Sequence, residues 1–225
     1  MSLRSGIRSL LRPLQRIGYA ALAGAFIPLA THAASLRIQL TDSHDRTAAG
    51  LGIVVDTTAP EPVPTAPPTA VIDQRHEQFV PRVSIVRRGT QVAFPNTDRV
   101  QHHVYSFSPA KQFELALYRG NEHPPVTFDQ DGIVVLGCNI HDHMIGYVLV
   151  VDSSHFGFTD QSGRLSLDGL PNETVKVTVW HPDLGIDYGA VTRIVTLAPG
   201  NNDLQVKLDR SWPARQEQSL SWNGY

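Results

Sequence analysis

From residue 35 onward, apolar and polar positions alternate in short runs separated by Gly, Pro, Asn and Asp, and almost no window carries a helical period. Successive side chains of a strand point to opposite faces, so alternation with period two predicts an all-β chain built as sandwiches or barrels. Leu36-Arg37-Ile38-Gln39-Leu40 alternates as a half-buried strand, and residues 51–55 follow after a Gly-containing turn. Between residues 57 and 69 five prolines (Pro60, Pro62, Pro64, Pro67, Pro68) remove ladder donors, which predicts an extended surface loop or linker. Strand signals resume at 81–86, where Val83 and Ile85 share a face. Arg88-Gly89-Thr90 then turns the chain into 91–94, the pattern of a hairpin. Residues 102–107 form the next strand, and the mixed stretch 111–120 reads as loop with a short strand at most.

An Asp131-Gly132 turn precedes the apolar run 133–137, expected to be buried on both faces, with Cys138 at its end. Residues 145–151 supply a matching strand, so the two bracket a tight seven-residue turn. Beyond Asp152 the alternation is unusually regular, at 159–167 and 175–180, and it closes with strands at 191–197 and 204–208. The polar tail from Asp209 is predicted to be loose.

The first residues follow another rule. Arg4, Arg8, Arg12 and Arg16 form a basic leader without an acid, and residues 17–30 are apolar but too short to span a bilayer as a helix. Small residues at 31–34 then suit cleavage, so residues 1–34 read as a secretory signal peptide and the mature chain as periplasmic. Without the leader's four arginines, fifteen of the nineteen basic residues face twenty-one acids. Such a mildly acidic chain has no electrostatic footprint for nucleic acid and no polybasic patch for a membrane surface.

Export sharpens the meaning of Cys138, the only cysteine. A single thiol makes no internal disulfide, so it is inert, paired between molecules, or held by a metal. The run Cys138-Asn139-Ile140-His141-Asp142-His143-Met144 favours the metal, because it brings a thiolate, an imidazole and a thioether into one short loop. Soft and borderline donors of that kind suit copper. A further imidazole has to come from upstream, where Phe94-Pro95-Asn96-Thr97-Asp98 leads into His102 and His103; the residues leave either histidine open as ligand.

Each feature also has a plain structural reading. A lone cysteine is often a small buried apolar residue, and Met144 fills core space as readily as it binds metal. His143 competes with Met144 as a ligand, lines the approach to the site, or points into water; the approach is its expected place. His44, His76, His123, His155 and His181 share no converging spacing and are expected to be surface or loop histidines. Zinc shares the cysteine and histidine donor types, whereas the methionine argues for copper.

Over residues 81–152 the chain resembles the cupredoxin superfamily, and its Cys-x-x-His-x-x-Met loop is similar to the short ligand loop of the amicyanins rather than the longer loops of plastocyanins. In that family the first ligand histidine is commonly followed by one residue and then valine, so the resemblance picks His102 ahead of Val104. It implies one mononuclear copper centre held by His102, Cys138, His141 and Met144. It also implies that His141 is the exposed edge for electrons, ringed by Ile140 and Met144. The backbone N–H after His102 and the Asn139 side chain become candidate donors toward the sulfur. The wider combination of Phe-Pro-Asn-x-Asp, His-His-Val-Tyr-Ser-Phe-Ser and Gly-Cys-Asn-Ile-His-Asp-His-Met is similar to periplasmic plastocyanin-like proteins labelled methylamine utilisation proteins. Residues 158–208 carry Asp-x-x-Gly-x-x-x-Leu-x-Gly-Leu-Pro and resemble transthyretin-like or carboxypeptidase-regulatory-like sandwiches, with residues 36–55 as candidates for their first strand.

The expected fold is therefore all-β, a cupredoxin-like Greek-key β-sandwich plus a second small β-sandwich. Its expected segments are N-terminal strands at 35–56, a Pro-rich loop at 57–70, a copper domain at 71–155, a transthyretin-like segment at 156–209 and a polar tail at 210–225. The expected function is that of a non-enzymatic blue-copper carrier passing single electrons between redox partners, such as a c-type cytochrome or a periplasmic dehydrogenase. A copper-delivery protein without electron transfer and a structural sandwich with a degenerate site are the competing expectations. A copper enzyme is disfavoured, since a second centre would need further clustered histidines.

Overall fold

The computed structural model describes residues 33–60, 64–185, 187–189 and 191–213. The predicted leader falls outside the described residues except for its last two positions, and Ala34 already opens the first strand. Seventeen strands follow in chain order among the described residues. They are β1 (Ala34–Thr41), β2 (Gly52–Asp56), β3 (Thr69–Val71), β4 (Asp73–Gln74), β5 (Phe79–Val80), β6 (Val83–Arg87), β7 (Thr90–Ala93), β8 (His102–Ser108) and β9 (Lys111–Tyr118). The remainder are β10 (Val126–Phe128), β11 (Gly132–Gly137), β12 (Ile145–Val151), β13 (Phe156–Phe158), β14 (Arg164–Leu170), β15 (Thr174–Trp180), β16 (Val191–Thr196) and β17 (Gly200–Lys207). A single 3-10 turn, Pro182–Leu184, is the only helical element described. The fold is all-β, as the alternation predicts.

Two sandwiches result. In the first, a five-stranded sheet ordered β6-β12-β11-β8-β9 faces a three-stranded sheet ordered β10-β7-β3. Its core holds Val92, Phe94, Val104, Tyr118, Phe128, Val134, Leu136, Val148 and Val150, together with Cys138 and Met144. In the second, a sheet ordered β14-β1-β17 faces one ordered β13-β2-β15-β16, over an aliphatic core that includes Leu36, Ile38, Leu40, Ile53, Val55, Val175 and Val177. Residues distant in sequence thus become neighbours: β1 lies between β14 and β17, and β2 between β13 and β15.

A third cluster joins the two. Val54, Val83, Ile85, Leu149, Val151 and Trp180 pack together from β2, β6, β12 and β15. Fully burying one such side chain stabilises by about 1.5–3 kcal/mol, so this seam is a packed core and not a loose contact. Gly52 makes the approach possible, because a Cβ there would stand 2.6 Å from Ile85 Cδ1 and 3.1 Å from the Trp180 carbonyl oxygen.

Several local expectations are corrected. β6 and β7 are not a hairpin: β6 pairs in parallel with β12 and β7 in parallel with β3, so the turn at Arg88 and Gly89 carries the chain from one sheet to the facing one. Each sheet of the sandwich then receives one of the two strands, β6 buried on both faces and β7 at alternate positions. The mixed stretch 111–118 is a full strand, β9, whose intermediate hydrophobicity reflects its edge position beside β8. The start of the tail is anchored, not loose. Trp212 is buried, its indole Nε1 donates to the Ala49 carbonyl at 2.9 Å, and its backbone N–H donates to Asp42.

Asp42 is the polar anchor of that corner. Its carboxylate accepts from the backbone N–H of His44, Arg46 and Trp212 and from the Arg46 guanidinium at 2.6 and 2.9 Å. The Arg46 guanidinium, with these backbone donors, holds the Asp42 carboxyl far below the usual carboxylate range.

Candidate metal centre

The loop 138–144 opens where β11 ends and closes where β12 begins, with Gly137 paired to Ile145 across its base. A bond from the Met144 N–H to the His141 carbonyl at 2.9 Å tightens the turn, which brings His141 back toward Cys138. Cys138 and Met144 are both buried, and they belong to the same core cluster.

His102 arrives from the other side, as the first residue of β8. Alternation along β8 sends His102, Val104 and Ser106 into the core, and all three are fully buried. His103 therefore takes the opposite face, where its Nε2 meets Glu114 Oε1 at 2.9 Å. Of the two upstream histidines, it is His102 that stands beside Cys138.

Three donor atoms converge. His102 Nδ1 and His141 Nδ1 are 3.2 Å apart, and Cys138 Sγ lies 3.9 Å from the first and 3.7 Å from the second. A triangle with these edges has a circumradius of about 2.1 Å, which falls among metal bond lengths of about 2.0–2.3 Å to imidazole and thiolate. Among the described residues this is the group of histidine, cysteine and carboxylate side chains whose donor atoms all lie within 4.8 Å of one another. The residues present thus fit a single ion. Met144 is fully buried in the same core cluster as Cys138.

The support around His102 escaped the sequence reading. Its Nε2 lies 3.1 Å from Asp98 Oδ2, and the same oxygen accepts the Glu77 backbone N–H at 2.8 Å. A carboxylate at Nε2 favours the tautomer with its proton there, which leaves the Nδ1 lone pair facing Sγ and His141. The Glu77 backbone N–H and the His102 imidazole hold the Asp98 carboxyl far below the usual carboxylate range. The Asp98 signal was present as an acid four residues before the histidine. Nothing local in the sequence pointed to Glu77.

The turn carrying Asp98 is itself pinned. Asp73 accepts from the Thr97 N–H and hydroxyl at 3.2 and 2.7 Å, and the Gln74 N–H donates to the Pro95 carbonyl at 3.0 Å. Asn96 Nδ2 donates to the carbonyls of Tyr118 and Val100. The Tyr118 hydroxyl, buried and bonded to Gln74 and the Phe94 carbonyl, is pushed up to about 12 chiefly by burial. These bonds satisfy polar groups that would otherwise be costly inside a sandwich, and they fix where β8 begins.

The outer rim differs. The His141 side chain is 19% exposed and its Nε2 lies 3.9 Å from Glu77 Oε1, while the exposed His143 places Nε2 3.4 Å from Glu77 Oε2. The His143 ring lies 6.0 Å from that of His141, centroid to centroid, on this exposed rim. Ile140 and Ile145 are exposed nearby in the loop and at its end. Asn139 is exposed and makes no side-chain hydrogen bond among the described residues, so the expected bond to sulfur is not formed. Of the remaining histidines, His181 departs from expectation: it is fully buried, edge-on to Trp212, and its Nδ1 accepts from the Asp183 N–H.

No family model matches the chain, and no curated protein matches it. Among solved structures, a purple cupredoxin from Nitrosopumilus maritimus shares 21% identity over 36% of this chain and 99% of its own, with a TM-score of 0.33. A reduced mutant of amicyanin shares 19% identity over 44% of this chain and 98% of its own, with a TM-score of 0.34. A copper-containing nitrite reductase from Thermus scotoductus SA-01 shares 21% identity over 51% of this chain and 28% of its own, with a TM-score of 0.35.

Proposed function

We propose that the protein is a periplasmic blue-copper carrier that passes single electrons between redox partners, with His102, Cys138, His141 and Met144 as the residues that would hold the ion. The single observation that carries this reading is the triangle of two Nδ1 atoms and one Sγ, sized for one ion. Copper bound there would supply a reversible one-electron change, which two imidazoles, a thiolate and a weak thioether tolerate in both oxidation states.

The chain's own residues prepare that site. Asp98 orients His102 from behind, the pinned 95–98 turn keeps β8 in place, and the base pair Gly137 with Ile145 holds both ends of the ligand loop. Donors fixed before the ion arrives need little rearrangement, the condition for fast electron exchange. Full burial of His102 keeps water from the inner imidazole, while the partly exposed His141 offers the route outward. Redox partners such as a c-type cytochrome or a periplasmic dehydrogenase would dock against that exposed edge.

The test is a visible spectrum of the oxidised, copper-loaded protein beside Cys138→Ser. An intense band near ~600 nm that vanishes in the variant is the expected result for thiolate-to-copper ligation. A colourless protein at full copper occupancy rules out the carrier and leaves copper delivery or another metal.

A further inference from the structure

The two imidazoles of the donor group are backed in the same way. Each turns Nδ1 toward Cys138 Sγ and Nε2 toward a carboxylate: Asp98 Oδ2 stands 3.1 Å from His102, and Glu77 Oε1 stands 3.9 Å from His141. The Glu77 carboxylate also meets the rim, with Oε2 at 3.4 Å from His143 Nε2. The two supports are one unit, because the Glu77 backbone N–H donates to the same Asp98 oxygen that faces His102.

Glu77 keeps this place at a conformational cost. β4 and β5 form a hairpin whose last bonds join Arg75 and Gln78 in both directions, so its tip is the pair His76 and Glu77. Both residues have positive φ, of 53° and 55°. Two-residue tips of this kind favour Asn and Gly, and a strained residue persists only where its surroundings hold it. A glycine at position 77 would relax the turn and still donate its N–H to Asp98. It could not supply the carboxylate that faces His141 and His143, and that is what the strained residue adds.

We propose that Glu77 is the positioning residue common to both imidazoles, and that its charge makes the donor group favour a divalent over a monovalent ion. This rests on reading His102, Cys138 and His141 as a metal-binding group. Outer partners of ligating imidazoles fix their orientation, and Glu77 does so for His102 through Asp98 and for His141 directly. The attraction between a carboxylate and an ion scales with the charge of the ion, so the negative charge behind a ligand favours the divalent state. With the Glu77 side chain 46% exposed, solvent and salt temper the effect to about three- to ten-fold in the ratio of affinities. In an ion that changes charge by one, the same preference holds the oxidised form.

Metal-free full-length protein titrated with Co(II) and, separately, with Ag(I) tests the assignment. Glu77→Gln keeps the N–H to Asp98 and removes the charge. It is expected to weaken Co(II) binding more than Ag(I) binding, moving their ratio about three- to ten-fold, and to lose that difference in about 1 M salt. Glu77→Asp, with the charge on a shorter stem, is expected to recover part of the ratio. His76→Gly relaxes the tip from an exposed position, so the Tm of the metal-free protein is expected to rise with the ratio unmoved. A ratio unchanged in Glu77→Gln, or moved as far by His76→Gly, overturns the proposal. Wild-type protein that binds neither ion overturns the metal-binding reading with it, whereas binding of both beside a colourless copper form counts against the carrier alone.

Discussion

The two sandwiches solve the same packing problem with different materials. The core of the second is almost purely aliphatic, with Leu36, Ile38, Leu40, Val175 and Val177 supplied by alternation alone. The first buries His102, Gln74, Asn96 and Ser106 beside Cys138 and Tyr118. Burying a polar group costs free energy unless its hydrogen bonds are remade, so the first sandwich needs the bonding around Asp73, Gln74, Asn96 and Asp98. The second sandwich keeps buried polar groups such as Asp42, Thr159 and His181 outside its aliphatic cluster, whereas the first brings Cys138 Sγ within 3.9 Å of His102 Nδ1 inside its core.

The largest expected effect separates the two at once. Cys138→Ser is expected to abolish the proposed copper–thiolate band and to leave the metal-free fold standing, because one small buried atom is replaced by another. Loss of cooperative unfolding by circular dichroism would show that site and fold are not separable. Leu36→Ala is the converse: removing a fully buried leucine from the second core is expected to cost about 2–5 kcal/mol in urea unfolding, with the band position unchanged. A shifted band would mean that the second core shapes the site.

Asp98→Ala sharpens the comparison inside the first sandwich. Removing the carboxylate behind His102 is expected to weaken copper binding about 10–100-fold in a competition titration, and to lower the Tm of the metal-free protein as well, because the Glu77 N–H and the His102 imidazole lose their acceptor. Gly52→Ala probes the seam: a methyl 2.6 Å from Ile85 Cδ1 forces repacking, for which about 1–3 kcal/mol is expected by chemical unfolding.

The smallest effect is the acid limb of stability, to which Asp42 and Asp98, the most strongly depressed carboxylate of each sandwich, contribute. Asp42 and Asp98 both titrate below their unfolded value, of about 3.9 for an aspartate, with the Arg46 guanidinium and the Glu77 N–H as their main causes. A depressed folded pKa means that the stabilisation is present above that value and is lost as pH falls through it. Stability of the metal-free protein should therefore be flat with respect to these two groups above about pH 5 and decline toward pH 2. Asp42→Asn and Asp98→Asn should each flatten part of that decline, and a decline unchanged in both variants would assign it elsewhere.

Period-two alternation made the strands of the second sandwich legible, and the same pattern located β8, β11 and β12. It failed where context outweighed pattern. β9 is an edge strand whose outward positions carry mixed residues, and β6 and β7 look like a hairpin because a tight turn joins them, although they enter facing sheets. Trp212 carries no burial signal in the sequence because its burial depends on Ala49 and Asp42, far away in the chain. Within the candidate site, the loop 138–144 was readable because its donors are close in the chain. Glu77 was not, because it reaches His141 and His143 only in space.

The sequence by itself determined the all-β class, the strand periods, the short donor loop and the choice of one thiol. These are local properties, written in side-chain alternation and in spacings of a few residues. The tertiary structure alone decided which of His102 and His103 faces the sulfur and that Asp98 backs His102. Those outcomes depend on which face of a strand meets the core and which distant backbone pins it, and both are settled only when the sheets close on one another.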